Sequence, residues 1–100
     1  MEKEEAKKLF IEHASNWKND TKYLSSLESI TDNISCKKII QIGKPAIELI
    51  VQEIKNGETD YCWFYILYQI IGKNPPANEF TTCEQINRYW VRWIEENKII

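Results

Sequence analysis

Residues 36–74 read CKKIIQIGKPAIELIVQEIKNGETDYCWFYILYQIIGKN, and this stretch decides the fold. It contains three apolar segments, separated by Gly43-Lys44-Pro45-Ala46 and Asn56-Gly57, and the third segment ends at Gly72. Glycine fits the left-handed backbone position just past a helix end, and proline is preorganised for the first turn of the next helix. The stretch therefore predicts three short helices, with a tight corner at Gly43 that packs the first two antiparallel.

The N-terminal third of the chain also shows helical spacing. From Lys3 to Lys18 the apolar residues fall three or four positions apart, which indicates one amphipathic helix, and Asn19-Asp20 favours a turn after it. Ser25 and Glu28 have capping-box spacing, which predicts a short helix through Ile30. The next helix is expected over residues 34–42, followed by one that Pro45 opens and that runs to about residue 55.

Residues 61–71 are apolar almost all round, which is typical of a central helix. Thr59 and Asp60 are its candidate caps, and Pro75-Pro76 prevents continuation after Gly72. Thr81 and Glu84 repeat the capping-box spacing and predict a last helix that ends near residue 97. Its predicted inward face consists of Ile86, Tyr89, Trp90, Trp93 and Ile94, opposite Arg88, Arg92, Glu95 and Glu96.

These patterns predict an all-α protein with five or six short helices and no strand, folded as a single domain over residues 1–100. A chain of 100 residues is long enough to bury one hydrophobic core. Its 13 basic and 15 acidic residues are interspersed, and a net charge of -2 gives no broad attraction for nucleic acid or anionic lipid.

The sequence also indicates a cytoplasmic protein. The start, Met1 to Glu5, is charged where a signal peptide needs an apolar run, and the longest apolar stretch is about half of the ~20 residues that span a membrane. Cys36, Cys62 and Cys83 are too far apart in the sequence for a zinc or redox motif, so they are interpreted as ordinary reduced thiols on or near helix faces. No cofactor is expected.

The chain resembles HEAT-like helical-repeat proteins, and more narrowly a group of small bacterial HEAT-like proteins without assigned function. The matching features are Trp17, Thr21, Leu24-Ser25-Ser26, the run from Ile39 to Ile50 around Gly43, Gly57 with Trp63, Ile70-Ile71-Gly72 with Pro75, and Trp90 with Trp93. The resemblance implies antiparallel helices stacked as an α-α superhelix. A HEAT unit occupies about 40–47 residues, so the chain would hold roughly two helix pairs and a flanking helix.

This resemblance brings no catalytic residues, and it favours a non-enzymatic module that binds another protein. Such a module would act as an adaptor, or as a small inhibitor or regulator in a phage or toxin system. Tryptophan and tyrosine dominate binding hot spots, and aromatic residues concentrate after position 62. The candidate partner-binding residues are Trp63, Phe64, Tyr68, Tyr89, Trp90 and Trp93, for a protein partner or a homodimer. The alternative interpretation is that these aromatic side chains form the core. The ridge made by Gly43-Lys44-Pro45 and Gly57 is a second candidate surface.

Two other classes of function remain as alternatives. A nucleic-acid-associated repeat protein would use the basic residues Lys37, Lys38, Lys44, Arg88 and Arg92 as contacts. An enzyme would need His13, the only histidine, to meet one of the cysteines together with a third group that orients the imidazole, or would need a carboxylate pair. The spacing brings no such groups together, and His13 is interpreted as a residue packed at the edge of the core.

Overall fold

A computed structural model describes residues 2–73 and 82–99 of the chain. Its helices are α1 (Lys3–Thr21), α2 (Leu27–Thr31), α3 (Ile34–Ile42), α4 (Lys44–Lys55), α5 (Trp63–Ile71) and α6 (Cys83–Glu96). The described residues contain six helices and no strand, so the predicted all-α class is confirmed. The predictions made for Pro75-Pro76 and Thr81 lie outside the described residues.

Helix α1 is longer than the sequence predicts. Asn19 and Asp20 were expected to form a turn, but the helix continues through them to Thr21. The Thr21 side chain is buried, donates a 2.6 Å hydrogen bond to the Trp17 carbonyl and contacts the Tyr61 hydroxyl. These contacts stabilise a last turn of α1 that the turn preference of Asn19 and Asp20 would not predict.

The helix caps lie one residue later than predicted. Ser26, not Ser25, is the N-cap of α2, and its Oγ accepts a 3.1 Å hydrogen bond from the Ser29 amide. Thr82 is the N-cap of α6, and its Oγ1 accepts a 3.1 Å hydrogen bond from the Gln85 amide. Both caps have the extended backbone that an N-cap requires. At each helix start the sequence has two adjacent hydroxyl residues, and spacing alone does not tell which of the two is the cap.

The corner between α3 and α4 consists of Gly43 alone. This residue ends α3, where its amide donates to the Ile40 carbonyl, and it also precedes α4, where its carbonyl accepts from the Ala46 amide. Its φ of 78° and ψ of -142° lie in a region that only glycine populates readily. The predicted corner is therefore confirmed, with Pro45 in the first turn of α4.

We expect Gly43→Asn to lower the free energy of unfolding by about 1–3 kcal/mol, because a side chain is strained in this backbone conformation. Gly72→Asn is the matched control. Gly72 has an αL conformation, which asparagine tolerates, and a Cβ added at either glycine meets nothing within 4 Å. Urea unfolding of both variants measures the difference, and equal costs would contradict this explanation.

Helix α5 begins two residues later than predicted, and neither Thr59 nor Asp60 caps it. Its N-cap is Cys62, whose side chain makes no capping hydrogen bond. The acceptor comes instead from α6, since the Asn87 Oδ1 accepts a 3.0 Å hydrogen bond from the Phe64 amide. The start of α5 is therefore defined by tertiary contact rather than by its own sequence.

The buried face of helix α6 overlaps the predicted one only in part. Its buried residues are Asn87, Trp90, Val91 and Ile94, whereas Ile86, Tyr89 and Trp93 are only half-buried. The helix is rotated toward Asn87, which is completely buried and donates to the carbonyls of Thr59 and Tyr61 at 2.9 and 2.7 Å. The prediction is confirmed for Trp90 and Ile94, whereas apolar periodicity missed Asn87 because this residue is polar.

The helices pack around one core in an order that follows the chain. Helix α1 contacts α3 and α4; α3 contacts α4 and α5; α4 contacts α5 and α6; and α5 contacts α6. In α4 the apolar residues spaced three or four positions apart, as one helical face requires, are all buried: Ile47, Ile50, Val51 and Ile54. The radius of gyration of 12.8 Å matches the ~13 Å of a compact 100-residue domain.

Candidate functional site

Large apolar side chains are exposed mainly around helix α2. Among the described residues, Tyr23, Leu24, Leu27 and Ile34 have exposed fractions of 90%, 44%, 46% and 71%. These four residues, which we call the α2 patch, lie within twelve consecutive positions. Single exposed apolar residues are normal on a protein surface, whereas a group of them marks an interaction site. The α2 patch is therefore the leading candidate site.

Contacts with α1 and with the hydrophobic core hold helix α2 in place. The Trp17 Nε1 donates a 2.7 Å hydrogen bond to the Ile30 carbonyl, and the Ile30 side chain packs against the core. Thr31 is buried, and its Oγ1 donates a 2.7 Å hydrogen bond to the Leu27 carbonyl. The exposed side chains of the α2 patch thus lie on this anchored helix, on the segment before it, and on the first residue of α3.

Charged side chains border the α2 patch. The Lys22 Nζ lies 5.2 Å from the centre of the Tyr23 ring, which is within the range of a cation–π contact. After α2 in the chain, the Lys37 Nζ and the Asp32 Oδ1 form an exposed ion pair at 3.3 Å. An apolar centre with a charged border is the usual composition of a protein–protein interface.

The structure divides the six predicted aromatic residues into two groups. Trp63 and Trp90 are buried in the core, with exposed fractions of 0% and 4%, so in this structure neither presents a surface to a partner. Phe64, Tyr89 and Trp93 are half-buried, and Tyr68 is exposed. For the two buried tryptophans the core interpretation is correct, and the surface available on α5 and α6 is limited to the other four side chains.

Trp63 belongs to an aromatic cluster between α1 and α5. Its ring stacks on Phe10 at 5.8 Å between centroids and meets the edge of Trp17 at 5.6 Å. Tyr61 meets the same Trp17 ring edge-on at 4.6 Å, and the Trp63 Nε1 donates to the Glu58 carbonyl at 3.0 Å. The sequence could not reveal this cluster, because its members come from segments about forty positions apart.

The second predicted surface, the ridge around Gly43 and Gly57, borders a groove between α1 and α4. The groove has a volume of about 620 Å³. Phe10, Ile11, Pro45 and Leu49 supply its apolar lining, and charged side chains from both helices border it. Ile11 is 56% exposed there, so this groove also offers apolar contact, although from fewer exposed side chains than the α2 patch.

The five basic residues of the nucleic-acid alternative do not form one uniform patch. Lys37 pairs with Asp32, and the Arg88 Nε pairs with the Glu84 Oε1 at 3.3 Å. Arg88 and Arg92 line a shallow groove together with Glu95 and Glu96. Lys38 and Lys44 are exposed on α3 and α4. Acidic side chains therefore accompany the arginines, and nucleic-acid binding remains a prediction without a distinct surface.

His13 lies half-buried on α1, as the sequence predicts. Its Nδ1 is buried and has no hydrogen-bond partner among the described residues. A catalytic imidazole needs a second group that fixes its orientation, and no described residue does so through this atom.

The three cysteines, interpreted from the sequence as independent thiols, approach one another in the structure. Cys83 is one of the groups that raise the pKa of the Cys62 thiol, and Cys62 is one of those that raise the pKa of Cys36. Cys36 and Cys62 are buried, and Cys83 is half-buried. Within the described residues, no group of three or more cysteine, histidine or acidic side chains has an arrangement that could hold a metal ion. No sequence motif signals this approach.

Burial raises the pKa of the Cys36 thiol to about 12 and that of Cys62 to about 11, with the neighbouring thiol as a second cause in each case. An unfolded thiol loses its proton near its ordinary pKa of 9.0, whereas the folded protein retains it. The two thiols therefore contribute fully to the free energy of unfolding below about pH 9. This contribution is lost as the pH rises through the pKa values of the folded state.

We expect the free energy of unfolding to decrease above about pH 9, by ~1.4 kcal/mol per pH unit for each retained proton. The Cys36→Ala variant should show a shallower decrease, because it removes one of these protons. Urea unfolding at a series of alkaline pH values measures the slope. Parallel slopes for the variant and the unsubstituted protein would contradict the assignment to Cys36.

Comparisons with protein-family profiles, with curated proteins and with solved structures gave no significant match for this chain. The described helices include none that is both long enough and apolar enough to cross a bilayer.

Proposed function

We propose that this chain is a non-enzymatic helical module that binds another protein through the α2 patch. The concentration of exposed apolar side chains at Tyr23, Leu24, Leu27 and Ile34 carries this proposal. Burying such side chains against a partner is favourable by roughly 25 cal/mol per Å² of apolar surface. The partner is a protein surface with apolar side chains at its centre, and a second copy of this chain is one possible form of it.

The order of helix packing supports a HEAT-like arrangement as part of this proposal. Helices α3 and α4 form one pair, and α5 and α6 form the next. Across the pairs α3 contacts α5 and α4 contacts α6, which is how two layers of a helical stack grow. In this arrangement α1 flanks the first pair and α2 is a short connection, so the α2 patch lies at one end of the stack.

A module of this kind acts by occupying a surface of its partner, either as an adaptor or as a small inhibitor or regulator. The α2 patch contains one tyrosine and three aliphatic residues, on a segment anchored by the Trp17–Ile30 hydrogen bond. Anchoring matters because an ordered segment loses little further conformational entropy on binding. The half-buried aromatic residues of α5 and α6 are the alternative surface for the same function.

The test compares Ile34→Glu with Ile11→Glu. Both isoleucines are exposed, but Ile34 belongs to the α2 patch and Ile11 lies on α1 beside the α1–α4 groove. Ile34 is the first residue of α3, where an acidic side chain favours the helix dipole, so the variant should remain folded. We expect Ile34→Glu to weaken partner binding by about tenfold or more and Ile11→Glu to leave it unchanged.

The measurement has two parts. Tagged protein captures partners from its native cells, and the affinity of each variant for the captured protein is then determined; sedimentation of the purified protein reports self-association. Loss of binding in Ile34→Glu alone supports the α2 patch. Loss of binding only in Ile11→Glu would contradict it and would favour the groove, and loss only in a Tyr68→Ser variant would favour the α5–α6 surface. Equal loss in both isoleucine variants would also contradict it.

A further inference from the structure

The groove between α1 and α4 lies between two helices that run in the same direction. The Lys3 Nζ lies 3.9 Å from the Glu48 Oε1 near the start of both helices, and the Lys18 Nζ lies 3.0 Å from the Glu58 Oε2 just past the end of α4. The α1 wall of the groove extends from Lys3 to Ile11, which at 1.5 Å per residue is about 12 Å, or roughly two helical turns. The groove is therefore long enough to contact two turns of a further helix.

The lining of this groove combines apolar side chains with charges of opposite sign on its two walls. Lys7 belongs to the α1 wall and Glu53 to the α4 wall. Among the residues that the structure describes, neither of these two side chains takes part in an ion pair or a hydrogen bond. Glu53 is also half-buried, and pairs that are partly withdrawn from water are screened less by salt than exposed pairs. The groove thus offers one unpaired cation and one unpaired anion beside an apolar surface.

We propose that the α1–α4 groove is a second docking site, and that its occupant is an amphipathic helix of another protein with a basic residue on one flank and an acidic residue on the other. The apolar stripe of this helix packs on Ile11 and Leu49. Its basic residue pairs with Glu53, and its acidic residue pairs with Lys7. The inference is independent of the α2-patch proposal, because the two sites share no residue.

An extended segment is a poorer occupant than a helix, because such a segment binds by adding to the edge of a sheet and the described residues contain no strand. Both walls of the groove are helices, whose backbone groups are mostly paired within the helix, so side chains supply the contacts. A helix pairs its own backbone groups and presents apolar residues at positions i, i+3 or i+4, and i+7. A single small ion would satisfy only one of the two opposite charges.

The charges also fix how the bound helix is oriented about its axis. Its basic flank faces α4, where Glu53 lies, and its acidic flank faces α1, where Lys7 lies. A helix with the two flanks exchanged would place like charges against each other, which disfavours binding. The proposal therefore predicts a particular arrangement of charges in the occupant and not only an apolar stripe.

The experiment selects displayed random peptides of about 16 residues, roughly four helical turns, against the full chain. Enriched peptides are synthesised with a fluorescent label, and their affinity is measured by anisotropy at low ionic strength. We expect apolar residues at helical spacing, with basic and acidic residues on opposite flanks. Circular dichroism should show that these peptides gain helix on binding.

Variants of the chain then locate the bound peptides. We expect Ile11→Glu to weaken their binding by about tenfold or more, and Glu53→Gln by about threefold to tenfold. Ile34→Glu changes the α2 patch and is the control, so it should bind the peptides as the unsubstituted chain does. Glu53→Lys should bind more tightly than the unsubstituted chain to a peptide whose basic residue is replaced by glutamate. This charge exchange distinguishes a direct pair from a merely structural effect of the substitution.

Four results would overturn the proposal. Selection could enrich no peptide, or peptides without the expected pattern of charges. Binding could be lost in Ile34→Glu but not in Ile11→Glu, which would assign the peptides to the α2 patch. The bound peptides could show no gain of helix. Sedimentation could show self-association that Ile11→Glu abolishes, in which case the occupant of the groove is a second copy of this chain.

Discussion

Replacing Asn87 by leucine is expected to lower the free energy of unfolding by about 3–5 kcal/mol. Asn87 is completely buried and serves three backbone groups of the segment that leads into α5. It accepts from the Phe64 amide and donates to the carbonyls of Thr59 and Tyr61. Leucine has a similar volume but no polar atom, so all three groups would lose their partner.

The expected cost is large because each buried polar group left without a partner lowers the free energy of unfolding by about 1–3 kcal/mol. Three such groups amount to a substantial part of the ~5–15 kcal/mol by which a domain is stable. Helix α5 has no side-chain cap of its own, so Asn87 also defines where this helix begins. The amide of Phe64 should accordingly exchange with solvent faster in the variant.

Asn97→Leu is the matched control for this prediction. Asn97 follows α6, is exposed, and donates one hydrogen bond to the Trp93 carbonyl at 2.8 Å. Its replacement should cost only about 0.5 kcal/mol, as for most surface positions. Urea unfolding measures both variants. Similar costs at the two positions would show that the buried network around Asn87 does not stabilise the fold as we infer.

The second large effect is expected for Trp63→Ala, which should lower the free energy of unfolding by about 3–5 kcal/mol. The Trp63 side chain is completely buried between Phe10 and Trp17, and its Nε1 donates to the Glu58 carbonyl. Alanine would remove the ring contacts and that hydrogen bond and would leave a cavity. The Lys18 Nζ, 5.2 Å from the same ring, would also lose its cation–π contact.

Trp93→Ala is the comparison, because Trp93 is only half-buried on α6. We expect its cost in stability to be smaller than that of Trp63→Ala, since less apolar surface returns to water. Thermal and urea unfolding determine both values. A Trp63→Ala variant as stable as Trp93→Ala would mean that Trp63 is not part of the core, and would revive its sequence-based interpretation as a contact residue.

Sequence patterns predicted the helices well where glycine and proline mark their ends. The bounds of α3 agree with the prediction, and those of α4 differ by one residue, because Gly43 and Pro45 leave little freedom for either helix. Errors occurred where a distant contact decides a local feature. Thr21 extends α1 through its contact with Tyr61, and Asn87 sets the start of α5 from another helix.

The candidate site was harder to predict than the fold. Tyr23, Leu24 and Ile34 lie at a helix end, in a turn and at a helix start, where periodicity gives no signal about exposure. The aromatic residues of α5 were interpreted from the sequence as partner-binding residues. Trp63, however, is covered by α1, which lies far away in the sequence. Exposure depends on which helices meet, and the local apolar periodicity of a sequence does not show that.

The single-residue corner at Gly43 restricts how this architecture can vary. Because one residue both ends α3 and precedes α4, there is no spacer in which length can change. One added residue within α4 would turn everything beyond it by about 100° around the helix axis, since a helix has 3.6 residues per turn. If that residue is added before Ile47, Ile47 and Ile54 would take the exposed positions that Glu48 and Lys55 now occupy. Length variation among descendants of this chain should accordingly fall elsewhere, and the spacing from Gly43 to Ile54 should stay constant.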